Sequence, residues 1–213
     1  MNGGPALATA TPPAIAALDP GGWGVAWTAS TGSGAPPTVR ARRLTAQGQR
    51  SGGELQVSAA AVGVTDVAAA GTADGGFVVA WIAELGSGAG RGVFLRRYRA
   101  NGAVFAAAQR VDTAVAGDRG EVAVVARPGG GFLVAWSATG RDGSGRSVRA
   151  RRFDAGGTAL DVEYRLNTTV VGDQFQPAVS HRGADAFLAV WTSRGQDGSG
   201  EGVFGQRFAT APP

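Results

Sequence analysis

Cysteine and lysine are both missing from this chain of 213 residues, and histidine and methionine occur once each. Without cysteine there is no disulfide framework, no thiolate nucleophile and no sulfur ligand for a metal, so the redox compartment leaves no mark on the composition. The basic side chains are all arginine; 20 of them against 16 acidic residues give a net charge of +4. They recur at fixed places along the chain instead of forming the basic run or arm that a nucleic-acid binder concentrates, and nucleic-acid partners are set aside. No apolar stretch approaches the ~20 residues of a membrane span. The N-terminus lacks a basic segment followed by an apolar core, so no signal peptide is expected in this stretch. The lone histidine, His181, has no nucleophile or repeated carboxylate pair beside it, and no glycine-rich phosphate loop follows a strand. The expectation is a protein that is not an enzyme.

What is present is a repeat. Trp27, Trp81, Trp136 and Trp191 stand 54, 55 and 55 residues apart, and Arg43, Arg97, Arg152 and Arg207 follow their tryptophans by 16 residues each. A unit of this length cannot bury its apolar surface alone and must pack on its neighbours. Each unit holds a segment of small residues, such as Val67-Ala-Ala-Ala70, and then a strand ending in tryptophan, such as Phe77-Val-Val-Ala-Trp81. A glycine-rich loop leads to a strand such as Val93-Phe-Leu-Arg-Arg-Tyr98, and a last strand follows, as at Gln109-Arg-Val-Asp112. The 36 glycines and 10 prolines punctuate these runs as turns.

The tryptophan strands are apolar at nearly every position, so both of their faces must be covered, as in a propeller blade and unlike a sandwich strand with one wet face. The expected fold is therefore all-β: a four-bladed β-propeller of ~55-residue, four-stranded repeats. One domain spans 1–213, with blades at 13–59, 67–114, 122–168 and 177–208. The last unit stops before a fourth strand, and residues 6–10 at the N-terminus supply a spare one that would close the last blade.

The spacing of 16 suggests that each tryptophan faces its arginine across a hairpin. That pair reads either as a sugar platform or as a packing pair repeated once per blade, and its presence in all four units favours packing. The loops Gly140-Arg-Asp-Gly-Ser-Gly145 and Gly195-Gln-Asp-Gly-Ser-Gly200 keep aspartates that the first two units lack. Asp142, Ser144, Asp197, Ser199 and Glu201 are the candidate ligand-binding residues, and their oxygens could hold Ca²⁺; the plain alternative is an aspartate or serine capping a tight turn. A ring of carbonyls from Pro13, Val67, Val122 and Pro177, with Asp66 and Glu121 nearby, offers a second place for a cation.

The strings Asp74-Gly-Gly-Phe-Val-Val-Ala-Trp81, Leu166-Asn-Thr-Thr-Val-Val-Gly-Asp-Gln174 and Gln196-Asp-Gly-Ser-Gly-Glu-Gly-Val-Phe-Gly-Gln-Arg-Phe208 resemble a repeat of large bacterial surface and secreted proteins. The unit size and number also resemble the hemopexin-type four-bladed propeller. The first resemblance implies an extracellular or cell-surface location, in company with adhesion and calcium-binding modules, and carries over no catalytic residue. The expected function is a non-catalytic extracellular binding module, lectin-like or adhesin-associated, for a glycan or protein ligand. The alternative is a purely structural or assembly repeat of a larger surface protein. Oligomeric state is left open.

Overall fold

The computed structural model describes residues 11–30, 35–59, 63–114, 117–183 and 186–209. All regular structure in these residues is β, in four antiparallel sheets that follow one another along the chain. The first sheet holds β1 (Ala14–Ala17), β2 (Trp23–Ala29), β3 (Thr38–Leu44) and β4 (Arg50–Gln56). The second holds β5 (Val64–Gly71), β6 (Phe77–Glu84), β7 (Arg91–Tyr98) and β8 (Gln109–Arg110). In the third are β9 (Arg119–Ala126), β10 (Phe132–Thr139), β11 (Arg146–Phe153) and β12 (Tyr164–Arg165), and in the fourth β13 (Gln174–Arg182), β14 (Ala186–Arg194) and β15 (Glu201–Ala209). Every sheet is a meander in sequence order. The strand expected from residues 6–10 lies outside the described residues.

The apolar run of each second strand is explained by what covers it. Along a strand, side chains alternate between faces. In β6, Phe77, Val79, Trp81 and Ala83 point back into a core shared with Ala26, Val39 and Ala41 of the first sheet. Val78, Ala80 and Ile82 point forward into a core shared with Phe132, Val134 and Trp136 of the third. The third sheet repeats the arrangement, sending Leu133 and Ala135 forward to meet Phe187, Ala189 and Trp191. Three apolar layers therefore lie between four sheets. Phe77 stacks on Tyr98, Phe132 on Phe153 and Phe187 on Phe208, with ring centroids 4.8–5.1 Å apart, closing the same end of each hairpin.

The first strands are small because they crowd one another. A Cβ placed on Gly71 would sit 1.9 Å from the Ala17 carbonyl oxygen of the neighbouring sheet, so only glycine allows the two backbones to approach so closely. The ends of all four first strands line one concave pocket of about 390 Å³, which Ala17, Gly71, Ala126 and Ser180 enter from different sheets.

Tryptophan and arginine do not face each other as the spacing suggested. Trp81 pairs with Phe94 and Trp136 with Arg149, while Arg97 pairs with Val78 and Arg152 with Leu133. The loops set this register: Thr139 pairs with Arg146 and Glu84 with Arg91, so each hairpin turns earlier than assumed. The three-row offset is odd and puts the arginine on the opposite face of the sheet from the tryptophan. In the first two units the arginine instead reaches the next unit: Arg97 Nη1 donates to the Ala155 carbonyl, and the Arg43 stem lies against the turn at Gly102.

A second bridge recurs 31 residues after the first three tryptophans, where Ser58 Oγ, Asp112 Oδ1 and Asn167 Oδ1 accept from Val39, Val93 and Val148 N–H at 2.8, 2.9 and 2.8 Å. The group facing each of them across the junction changes in step. Asp112 meets the Arg119 guanidinium at 3.1 Å, with both side chains buried, and Asn167 donates to Gln174 Oε1 at 2.8 Å. At the first junction Val64 occupies the place of Arg119 and Gln174.

Two outcomes follow. Trp136 is fully buried, and Trp136→Ala should lower the free energy of urea unfolding by ~3–5 kcal/mol. Asp112→Ala should cost about 3–5 kcal/mol by removing the carboxylate that faces the buried Arg119 charge, whereas the double variant Asp112→Asn, Arg119→Gln copies the next junction and should return to within ~1 kcal/mol of the native chain.

Candidate functional site

The turns that join first to second strands, around residues 72–76 and 127–131, open a groove of about 550 Å³ between the second and third sheets. Its polar floor is built from one turn and one strand end. Asp74 Oδ1 accepts from the Thr72 hydroxyl at 2.6 Å and the Gly76 N–H at 3.3 Å, and Oδ2 from Arg97 Nη2 at 2.5 Å. Partial burial acts to raise the Asp74 pKa. The Thr72 hydroxyl, the Arg97 charge and the Gly76 N–H outweigh it and hold the carboxyl below the ordinary 3.8.

Arg97 is buried, yet Asp74 stays nearly half exposed beside it. Phe105 completes the floor. Its ring carries the Arg97 guanidinium at 4.1 Å and the Arg99 guanidinium at 4.5 Å, and its N–H donates to the Arg97 carbonyl at 2.9 Å. The opposite wall is Pro128–Gly131, with Ala155 and Gly156 at one end. The groove shares Thr72, Ala73 and Pro128 with the pocket at the ends of the first strands, where Asp19, Arg127 and His181 add polar groups. Together they form one concave surface with a carboxylate, a fixed guanidinium and an aromatic ring.

The residues chosen from the sequence lie at the other end of the sheets. Phe132 borders the groove and Thr139 leads into the 140–145 loop, a strand length of roughly 25 Å at ~3.3 Å per residue. In that loop Ser144 N–H donates to Asp142 Oδ1 at 3.2 Å, and Ser144 Oγ accepts from Gly172 N–H at 3.1 Å. Asp142 Oδ2 is buried with no hydrogen-bond partner. In the next unit Ser199 N–H donates to Asp197 Oδ1 at 3.3 Å, and Glu201 pairs with Arg194 at 2.8 Å. Each aspartate thus serves its own turn. The loops touch the chain between sheets through Asp173, which accepts from Arg146 N–H at 2.9 Å and lies 3.8 Å from Arg194.

Near the same end, Asp66 accepts from Val67 N–H at 2.9 Å and Val122 N–H at 2.7 Å, tying β5 to β9. Burial pushes its carboxyl above the ordinary value against those two donors, and nearby Glu121 adds to the rise. Among the described residues no group of three or more histidines, aspartates and glutamates is arranged to hold a metal. No helix among them is long and apolar enough to cross a membrane.

No family model matches the chain, and no curated protein matches it in sequence. Solved structures do match. The endo-arabinase of Bacteroides thetaiotaomicron VPI-5482 is 11% identical with a TM-score of 0.57 over 92% of this chain and 74% of that one. A protein of unknown function from Dyadobacter fermentans DSM 18053 is 13% identical with a TM-score of 0.52 over 93% and 76%. The subtype N10 neuraminidase-like protein of A/little yellow-shouldered bat/Guatemala/060/2010 is 12% identical with a TM-score of 0.51 over 87% of this chain and 52% of that one. The fold is propeller-like.

That finding corrects the exclusion of enzymes drawn from composition. The exclusion rested on missing histidine, cysteine and phosphate-loop constellations, and the fold is one on which an endo-arabinase is built. Glycoside cleavage needs carboxylates, not those groups.

Asp74 also makes a pH prediction. Its pKa is lowered on folding, so its contribution to stability is present above 3.8 and fades as the pH falls through the folded value. The melting-temperature advantage of the native chain over Asp74→Asn should be constant near neutrality and vanish in acid.

Proposed function

We propose that this chain is a glycan-engaging propeller domain of an extracellular or cell-surface bacterial protein, with the groove at Asp74, Arg97 and Phe105 as its glycan site. In this reading the four sheets are the blades, and residues 6–10 add the outer strand of the last one. The observation that carries the proposal is the groove's composition: an exposed carboxylate and a buried guanidinium fixed at 2.5 Å beside an aromatic ring. Adjacent sugar hydroxyls suit paired charge-assisted hydrogen bonds from such a couple, and the apolar face of a pyranose or furanose suits the ring. Its 550 Å³ falls within the ~300–1,000 Å³ of ordinary ligand clefts. The names of two fold neighbours, an endo-arabinase and a neuraminidase-like protein, point to the same ligand class.

The unpartnered Asp142 Oδ2 supports a second, weaker locus, with calcium as its candidate ligand. A glycan array, read with and without Ca²⁺ and followed by chromatography of the bound glycans for cleavage products, tests both. Binding should fall at least tenfold in Asp74→Ala and Phe105→Ala and be unchanged in Asp142→Ala and Asp197→Ala. Loss confined to the Asp142 and Asp197 variants in calcium would move the site to the loops. Failure to bind or cleave any glycan would favour the assembly role.

A further inference from the structure

Five arginines gather around two carboxylates where the outer parts of the second and third sheets meet. Asp112 Oδ2 pairs with Arg110 Nη2 at 2.9 Å and with Arg119 Nη2 at 3.1 Å. Glu163 Oε1 pairs with Arg141 Nη2 at 2.8 Å and with Arg149 Nε at 3.3 Å, and its Oε2 accepts from Thr113 N–H at 3.0 Å. Arg149 stands opposite Arg165 in the ladder of β11 and β12. Directly opposed side chains on neighbouring strands share a face, with Cβ atoms about 5 Å apart. Five guanidiniums against two carboxylates leave a surplus of positive charge.

That surplus is peculiar to the third unit. The same row holds Arg40 opposite Gln56 in the first unit and Phe94 opposite Arg110 in the second. Two arginines in direct opposition repel, which destabilises the ladder unless something neutralises them. Glu163 already serves Arg141 and Arg149. Arg165 is exposed, and its side chain makes no hydrogen bond or ion pair among the described residues. The Arg149 side chain is only 12% exposed, and its Nε is buried without a hydrogen-bond partner. Burial holds the Arg149 guanidinium below its ordinary value against the pull of Glu163, and Arg141, Arg165 and Arg119 lower it further. Arg110 and Arg141 keep 33% and 34% of their side chains in solvent, so an anion can reach the cluster from outside.

We propose that Arg110, Arg141, Arg149 and Arg165 form a site for the sulfate esters of an acidic polysaccharide. Guanidinium forks donate paired, charge-assisted hydrogen bonds to oxyanions. A sulfate ester has three free oxygens to share among donors that converge from β8, β11, β12 and the 140–145 loop, where a carboxylate has two. Each ester carries a single negative charge, so the surplus calls for several along one chain. A nucleic acid would follow a basic stripe, whereas here two carboxylates interrupt a compact patch. Arg141 belongs to the loop end of the sheets and Asp74 to the other, so this site stands apart from the groove and does not rest on it.

Titration calorimetry with dextran sulfate and unsulfated dextran tests the proposal. Dextran binding belongs to the groove and sets the baseline; dextran sulfate should bind in excess of it and weaken as salt rises. Arg141→Ala and Arg165→Ala should each lower the dextran sulfate affinity roughly tenfold, with the β spectrum unchanged. Arg50→Ala, at an exposed arginine on β4, should have no effect. Glu163→Gln keeps an acceptor for the Thr113 N–H while removing the competing charge, and should raise the affinity. No excess of dextran sulfate over dextran, or an equal loss in Arg50→Ala, would overturn the proposal. So would tighter binding of an oligothymidylate at the same salt, which would make the partner a nucleic acid, or displacement by inorganic sulfate at equal sulfate concentration, which would make the ligand a free ion.

Discussion

Burial of the second strands β6 and β10 on both faces is the constraint from which the rest of this structure follows. A sheet whose central strand is apolar throughout cannot stand in water, and β6 and β10 are covered because each has a sheet in front and behind. Sheet-on-sheet layering then sets the demands on the other strands. The first strands must be small enough to crowd together, which fixes glycine at position 71 against the Ala17 carbonyl. The third strands must present two apolar residues forward, as in Val93 and Leu95 or Val148 and Ala150. The polar groups that remain between layers must find partners there, because unpaired they would cost about 1–3 kcal/mol each.

The groove arises as a local departure from that regularity. Units share the arginine at the third strand's end, but only the second has an aspartate seven residues before its tryptophan. Arg152 finds Asp161 on its own sheet at 2.6 Å instead. Among the described residues the second unit therefore aims a carboxylate and a guanidinium together into the cleft between sheets, where the Phe105 ring supports the guanidinium. A repeat supplies identical scaffolding, and single substitutions then give one inter-sheet cleft a chemistry that its siblings lack.

Much of this was legible in the chain. The tryptophan period fixed four units, and the apolar runs fixed two-sided burial, since both depend on side-chain alternation and volume. The hairpin register was not legible, because a spacing of 16 does not reveal how many residues the loop consumes. Nor was the groove. Asp74 lies in a string that reads as turn punctuation, and Phe105 falls in the irregular stretch between third and fourth strands, where no period aligns it with anything. Asp142 and Asp197 stood out because they recur, and recurrence marks the turns that every unit needs more readily than a feature that occurs once.

The junctions carry a final consequence. Asp112 faces Arg119 and Asn167 faces Gln174, while the first junction has Ser58 and Val64 at the corresponding sequence positions, so three equivalent places hold three different chemistries. Transposing two units would set a buried carboxylate against an amide, or an arginine against a hydroxyl, and strand a charge away from water. The units look interchangeable in their apolar layers, but the buried ion pair is specific to one junction. The charged pair at the Asp112–Arg119 junction thereby favours the observed neighbours over transposed ones in an otherwise uniform stack.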